Sequence, residues 1–229
     1  MNRSVKQIAE KIIGRHLFLE EGMKQSSILE QEKRLNIKIP ATLKELYFTL
    51  GNNALFTDGF HHFAEITTLF VKDNKLVFLQ ENQSVVYWAV DLIDSKTVCQ
   101  TTDQNFDDNV EWYSEELSLD QFIEMILYVQ CVMSDESFHA KAKSGFKYFA
   151  SLDISEYHSN EKSKGFIDTL DNDYKEIIHG NGLRIYWDPE TILMYFLNKE
   201  NQISDMILTC TKDEAVLDKM IDAYGFNQL

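Results

Sequence analysis

Residues 63–91 read Phe63-Ala64-Glu65-Ile66-Thr67-Thr68-Leu69-Phe70-Val71, then Lys72-Asp73-Asn74, then Lys75-Leu76-Val77-Phe78-Leu79-Gln80, then Glu81-Asn82-Gln83, then Ser84-Val85-Val86-Tyr87-Trp88-Ala89-Val90-Asp91. Three runs rich in β-branched and aromatic residues alternate with two clusters of Asp, Asn, Glu and Gln. That pattern predicts three strands joined by tight connections. Shorter strand candidates follow at Val98–Thr101 and Val110–Tyr113, joined by an acidic loop over Asp103–Asn109. Consecutive strands linked this closely pair antiparallel, so the centre of the chain reads as a meandering sheet.

Helices bracket that sheet. Ser4 and Gln7 form an S-x-x-Q capping box, followed by Val5, Ile8, Ile12 and Leu17 at helical spacing, with Gly22 as a stop. A second helix is predicted from Ser26 or Ser27, with Glu30 three residues after Ser27. Pro40 opens a third, whose apolar face is Leu43, Leu46, Tyr47 and Leu50, and Gly51-Asn52-Asn53 offers a left-handed cap. Ser118 and Gln121 make another capping box, with Leu119, Phe122, Ile123, Ile126 and Leu127 on one face.

Beyond residue 134 the signals start again. A helix over Glu136–Lys143 and a strand near Phe146–Leu152 precede a helix containing Phe166, Leu170, Ile177 and Ile178, ended by His179-Gly180-Asn181-Gly182. Leu183–Trp187, Thr191–Leu197 and Ile203–Cys210 read as strands, and Thr211 with Glu214 caps a final helix. The expected class is α+β: a curved antiparallel sheet flanked by helices in residues 1–134, with a C-terminal α+β extension packed on it in residues 135–229.

The order of these features resembles the SUKH superfamily, which includes a fungal cell-wall assembly regulator and bacterial immunity proteins of polymorphic toxin systems. Leu35-Asn36-Ile37-Lys38-Ile39-Pro40 running into Leu43-Lys44-Glu45-Leu46-Tyr47-Phe48 resembles the family's first helix junction. Gln83–Val90 resembles its central strand, and Ser118-Leu119-Asp120-Gln121-Phe122-Ile123 the start of its closing helix. The resemblance covers roughly residues 5–133. Gly51-Asn52-Asn53 stands where the family often has Asn-Gly-Gly. The resemblance implies a protein that binds and neutralises a cognate toxin, or a regulator or scaffold of the same fold. It carries over no shared catalytic residue.

Charge points to the kind of partner. The 229 residues carry a formal net charge of −15. Residues 1–50 hold nine Lys/Arg and six Asp/Glu, so the negative charge lies after them. Between Thr97 and Ala140 there is no Lys or Arg, and ten acids. Such a field repels phosphate backbones, so no nucleic-acid partner is expected, whereas a basic protein such as a nuclease toxin is attracted. Acidity that merely keeps a protein dispersed reads the same way. Asp103, Asp107, Asp108, Glu111 and Trp112 are the candidate partner-binding residues, since Trp inside an acidic stretch suits a cationic, partly apolar surface.

Catalytic and metal chemistry find less support. Asp58-Gly59-Phe60-His61-His62-Phe63-Ala64-Glu65 gathers metal-ligand types, but adjacent histidines on a strand point to opposite faces. Asp103–Asp108 lacks the central glycine of a calcium loop, and Ser114 stands where its closing Glu belongs. Cys99, Cys131 and Cys210 are widely spaced without C-x-x-C, and read as buried apolar residues. His16, His139, His158 and His179 are isolated. No cofactor or metal is expected, and an enzyme or small-ligand binder would need a deep pocket of converging polar groups. No run of about 18 apolar residues or signal-peptide pattern is present, so a cytoplasmic location without membrane contact is expected.

Overall fold

The computed structural model describes residues 3–153, 165–180 and 182–229. His158 and Asn181 lie outside the described residues, as does the polar stretch 154–164. The chain is α+β, built from helices and two open antiparallel sheets in two compact units, Met1–Ala142 and Lys143–Leu229. The division falls eight residues beyond the expected one at Ser134, because helix α6 (Glu136–Ala142) packs against α4 (Ala54–Thr57) of the first unit.

Helix α1 spans Val5–Ile13 and has both bonds of the Ser4/Gln7 capping box. It stops well before Gly22. Gly14 takes a left-handed conformation (φ 72°) and its N–H donates to the Glu10 carbonyl, so Leu17 lies beyond the helix. Helix α2, Gln25–Leu35, begins ahead of the expected serine cap, and Ser27 N–H donates to the Lys24 carbonyl. Helix α3, Ala41–Leu50, buries Leu43, Leu46, Tyr47 and Leu50 as its spacing predicts. The left-handed cap expected after it is absent. Gly51 stays right-handed at φ −60°, and the chain re-enters a helical turn at α4, where the Asn53 side chain accepts from Leu55 N–H.

The first sheet contains β1 (His62–Phe63), β2 (Phe70–Lys72), β3 (Lys75–Gln80), β4 (Tyr87–Asp91), β5 (Thr97–Thr101) and β6 (Tyr113–Ser118). The order is β1-β3-β4-β5-β6, with β2 also beside β3. The single strand expected over Phe63–Val71 is therefore interrupted. Its two ends pair with opposite halves of β3, and Thr68 and Leu69 N–H groups turn back onto the Glu65 carbonyl. Asp73 and Asn74 both have positive φ (50° and 57°), the conformation a two-residue hairpin needs to match strand twist. The strand expected at Val110–Tyr113 is displaced to Tyr113–Ser118. Its Tyr-Ser-Glu-Glu-Leu-Ser sequence lacks apolar alternation because it is an edge strand, mostly exposed, with Glu115 turned inward.

Helix α5, Leu119–Met133, starts from the Ser118/Gln121 capping box at the end of β6. Phe122 meets Phe78 edge-on at 6.0 Å and Trp88 at 5.9 Å, which fixes the helix on one face of the sheet.

The second unit is a sheet in the order β12-β7-β11-β10-β9-β8. Its strands are β7 (Tyr148–Asp153), β8 (Lys175–Gly180), β9 (Leu183–Trp187), β10 (Thr191–Leu197), β11 (Ile203–Thr211) and β12 (Asn227–Gln228). Helices α7 (Phe166–Asp173) and α8 (Glu214–Tyr224) supply Phe166, Leu170, Leu217 and Met220 to a core shared with Leu193 and Ile207. Ile177 and Ile178 belong to β8 rather than to a helix. The hairpin pairing of Gly180 with Leu183 outweighs their helical spacing. Helix α8 is capped by Asp213, whose side chain accepts from Ala215 N–H. The Thr211 hydroxyl instead donates to the Glu190 carbonyl and accepts from Asp213 N–H. Cys99, Cys131 and Cys210 are buried and free. Among the described residues no helix is long and apolar enough to cross a membrane.

Candidate interaction surface

The face of the first sheet opposite α5 carries the candidate surface. Directly paired residues share a face, so Phe70, Val77, Ala89, Cys99 and Ser114 form one row across β2, β3, β4, β5 and β6. Tyr87 and Thr101 pair alongside it on the same side. The loop from Thr102 to Trp112 lies against this row. Phe106 is its anchor, meeting Phe70 edge-on at 4.8 Å and Tyr87 at 5.1 Å, with the Trp112 ring 6.3 Å away. Val77 and Ala89 are accordingly buried although they face away from the helices. Phe106 holds a positive φ of 54°, uncommon for an aromatic residue and consistent with a loop shaped by its packing.

The five sequence-selected residues fall on or beside this loop but have different duties. The Asp103 carboxylate accepts from Asn105 N–H (3.0 Å) and Phe106 N–H (3.1 Å), closing the turn that aims Phe106 at the sheet. Asp107 and Asp108 are exposed. Glu111 is exposed and accepts from the Tyr113 hydroxyl at 2.7 Å, and that carboxylate pushes the phenol pKa up. Trp112 is half-buried rather than projecting. Its indole N–H reaches Asp73 at 3.4 Å, and the Lys75 ammonium sits 5.8 Å from its ring centroid. Lys75 is in turn 3.7 Å from Asp91.

The surface thus has an aromatic centre of Phe70, Tyr87, Phe106 and Trp112, and a rim carrying Asp73, Asp107, Asp108 and Glu111. Phe70 remains substantially exposed. Sequence reasoning missed Phe70 and Phe106. A phenylalanine between Asn105 and Asp107 in an otherwise polar loop was the available signal, since it has to be buried against something.

The Asp58–Glu65 segment is arranged differently. Gln130, fully buried on α5, accepts from Phe60 N–H (2.9 Å) and His61 N–H (2.8 Å) and donates to the Phe56 and His61 carbonyls (3.2 and 2.6 Å). The two histidines diverge from there. His61 packs between Phe60 and Trp88, at 4.6 and 5.2 Å, and burial pushes its pKa down to about 4. His62 pairs with Asp58. Among the described residues, no group of three or more His, Cys, Asp or Glu side chains is placed to hold a metal ion.

Comparison with known proteins adds no relative: no family model, no curated protein and no solved structure matches the chain.

Proposed function

We propose that this chain is a non-catalytic protein-binding protein of the immunity kind, which neutralises a basic toxin domain in the cytoplasm by covering its working surface. The observation that carries the reading is the aromatic face rimmed by Asp107, Asp108 and Glu111 within a stretch free of Lys and Arg. Aromatic side chains held by neighbours lose little entropy on binding, and surrounding carboxylates speed encounter with a cationic partner. The resemblance of residues 5–133 to the SUKH superfamily supports the same reading. A nuclease toxin suits it because a surface that grips phosphates is basic.

The test is a binding and rescue experiment with any basic toxin domain found encoded beside this gene. Co-expression should protect cells from that domain. Asp107→Asn/Asp108→Asn/Glu111→Gln should slow association and flatten its salt dependence. Absence of protection, or an association rate indifferent to both salt and these substitutions, would overturn the reading.

A further inference from the structure

The first unit has a second recognition feature on residues that the acidic loop does not use. A cavity of about 530 Å³ opens where the end of α3, α4 and the β1–β2 connection meet. Its size is that of a small-ligand or side-chain pocket. Tyr47, Phe63 and Ile66 form a buried apolar floor, and Asp58 and Glu65 stand among its walls. Among the described residues, no Lys or Arg lines it. Asp58 is matched by His62, but the Glu65 side chain has no hydrogen-bond or ion-pair partner among the described residues.

The cavity is held open by the chain itself. The Tyr47 hydroxyl donates to the Ala64 carbonyl at 2.8 Å, tying α3 to the β1–β2 connection. Met23 N–H donates to the Tyr47 carbonyl at 2.9 Å, which brings the Met23 side chain to the wall. A Cβ at Gly51 would fall 2.5 Å from the Tyr47 carbonyl oxygen and 2.6 Å from Met23 Cγ, so only glycine lets these walls meet. Gln130 fixes the Phe60–His61 backbone just ahead of β1.

We infer that this cavity binds a single cationic group on a short apolar stem, a guanidinium or primary ammonium. The stem lies on the aromatic floor, and the charge meets Asp58 and Glu65. An anion would face two carboxylates with no cation to receive it. A neutral apolar ligand could use the floor but would gain nothing from either exposed carboxylate. The same chemistry is offered by an Arg or Lys side chain of a protein and by a free small amine.

The experiment is a ¹H–¹⁵N NMR titration of the full chain with N-acetyl-argininamide, its neutral isostere N-acetyl-citrullinamide, and agmatine. Saturable shifts are expected at Gly51, Ala54, Ala64 and Glu65 with the two cations and not with the citrulline compound. Asp58→Asn/Glu65→Gln, both exposed changes, should weaken binding roughly fivefold to tenfold, as two partly solvated ion pairs predict. Tighter binding of the capped arginine than of agmatine assigns the cavity to a protein side chain, and the reverse order to a free amine. Equal binding of the citrulline compound, or shifts confined to residues 103–112, would overturn the inference. So would an affinity unchanged in the double variant.

Discussion

Gln130→Leu is the sharpest test of how the first unit holds the segment from Phe56 to His61. The glutamine is fully buried, and its amide makes four hydrogen bonds to the backbone of Phe56, Phe60 and His61. Leucine keeps most of the volume and removes every bond. Each is worth about 1 kcal/mol net, more where the stranded partner stays dry. Phe60 and His61 are only partly buried, so water can recover some of the loss at their N–H groups. The expected destabilisation is therefore about 3–4 kcal/mol. Gln130→Glu should also destabilise at neutral pH, since the carboxylate still accepts from Phe60 and His61 but faces two carbonyl oxygens. Urea unfolding read by both tryptophan fluorescence and circular dichroism is the assay, because two compact units need not unfold together. Trp88, 5.2 Å from His61, reports on the affected unit. A loss under about 1 kcal/mol for the leucine variant would refute the claim that this side chain organises the segment.

Acid should weaken the fold before its carboxylates titrate. Burial lowers the pKa of His61 and His139 to about 4, so the unfolded chain binds protons below about pH 6.5 while the folded chain does not; stability is full above that pH and falls toward pH 4, by on the order of 3 kcal/mol per histidine. His139→Gln should flatten that slope in urea midpoints measured from pH 7 to 4.5, and an unchanged slope would exclude the histidine as its source. Ser118→Ala should cost about 1 kcal/mol by removing the α5 cap, read as a lower urea midpoint. Phe106→Ala should loosen the acidic loop and speed thiol labelling of Cys99, which is 6 % exposed on the sheet face below; unaltered labelling would mean that the loop does not protect that face.

How much was legible in the sequence follows from which forces act locally. The boxes at Ser4 and Ser118 were readable because a cap is a four-residue affair. So was the apolar face Leu43, Leu46, Tyr47 and Leu50, because burial imposes its period directly. Strands β3, β9 and β10 match their expected limits because turn residues bracket them. The misses are cases where a distant partner decides. Ile177 and Ile178 suit either a helix or a strand, and pairing with β9 settles it. Residues 64–69 have strand composition, yet they loop out because β3 takes its edge partners from β1 and β2 separately. The acidic loop was visible as charge, but its function as a cover depends on where Phe106 lands, which no local pattern encodes. Asp58 and Glu65 were visible as a ligand-like cluster, while the cavity beside them required the bonds of Gln130 and Tyr47.

Net charge and contact chemistry also separate once the side chains are placed. Of the acids between Thr97 and Ala140, Asp103 closes a turn, Glu115 accepts the Trp88 indole N–H at 2.7 Å, and Asp120 is bonded to Thr42. Glu124 lies 3.6 Å from Arg3, and Asp135 caps the turn at Ser137. These carboxylates have structural partners, and drawing them into an interface would mean breaking bonds the fold already uses. Asp103, Glu115, Asp120 and Asp135 bond neutral donors, so their negative field is not cancelled and extends over a Debye length of about 8 Å at physiological salt, whereas Arg3 offsets that of Glu124. Asp107 and Asp108 are exposed at the loop tip beside the aromatic centre, where contact is possible. Under the proposed binding, the acidic stretch would divide into a broad steering field and a small contact set. That division makes the loop substitutions a sharper test of binding than any change in total charge.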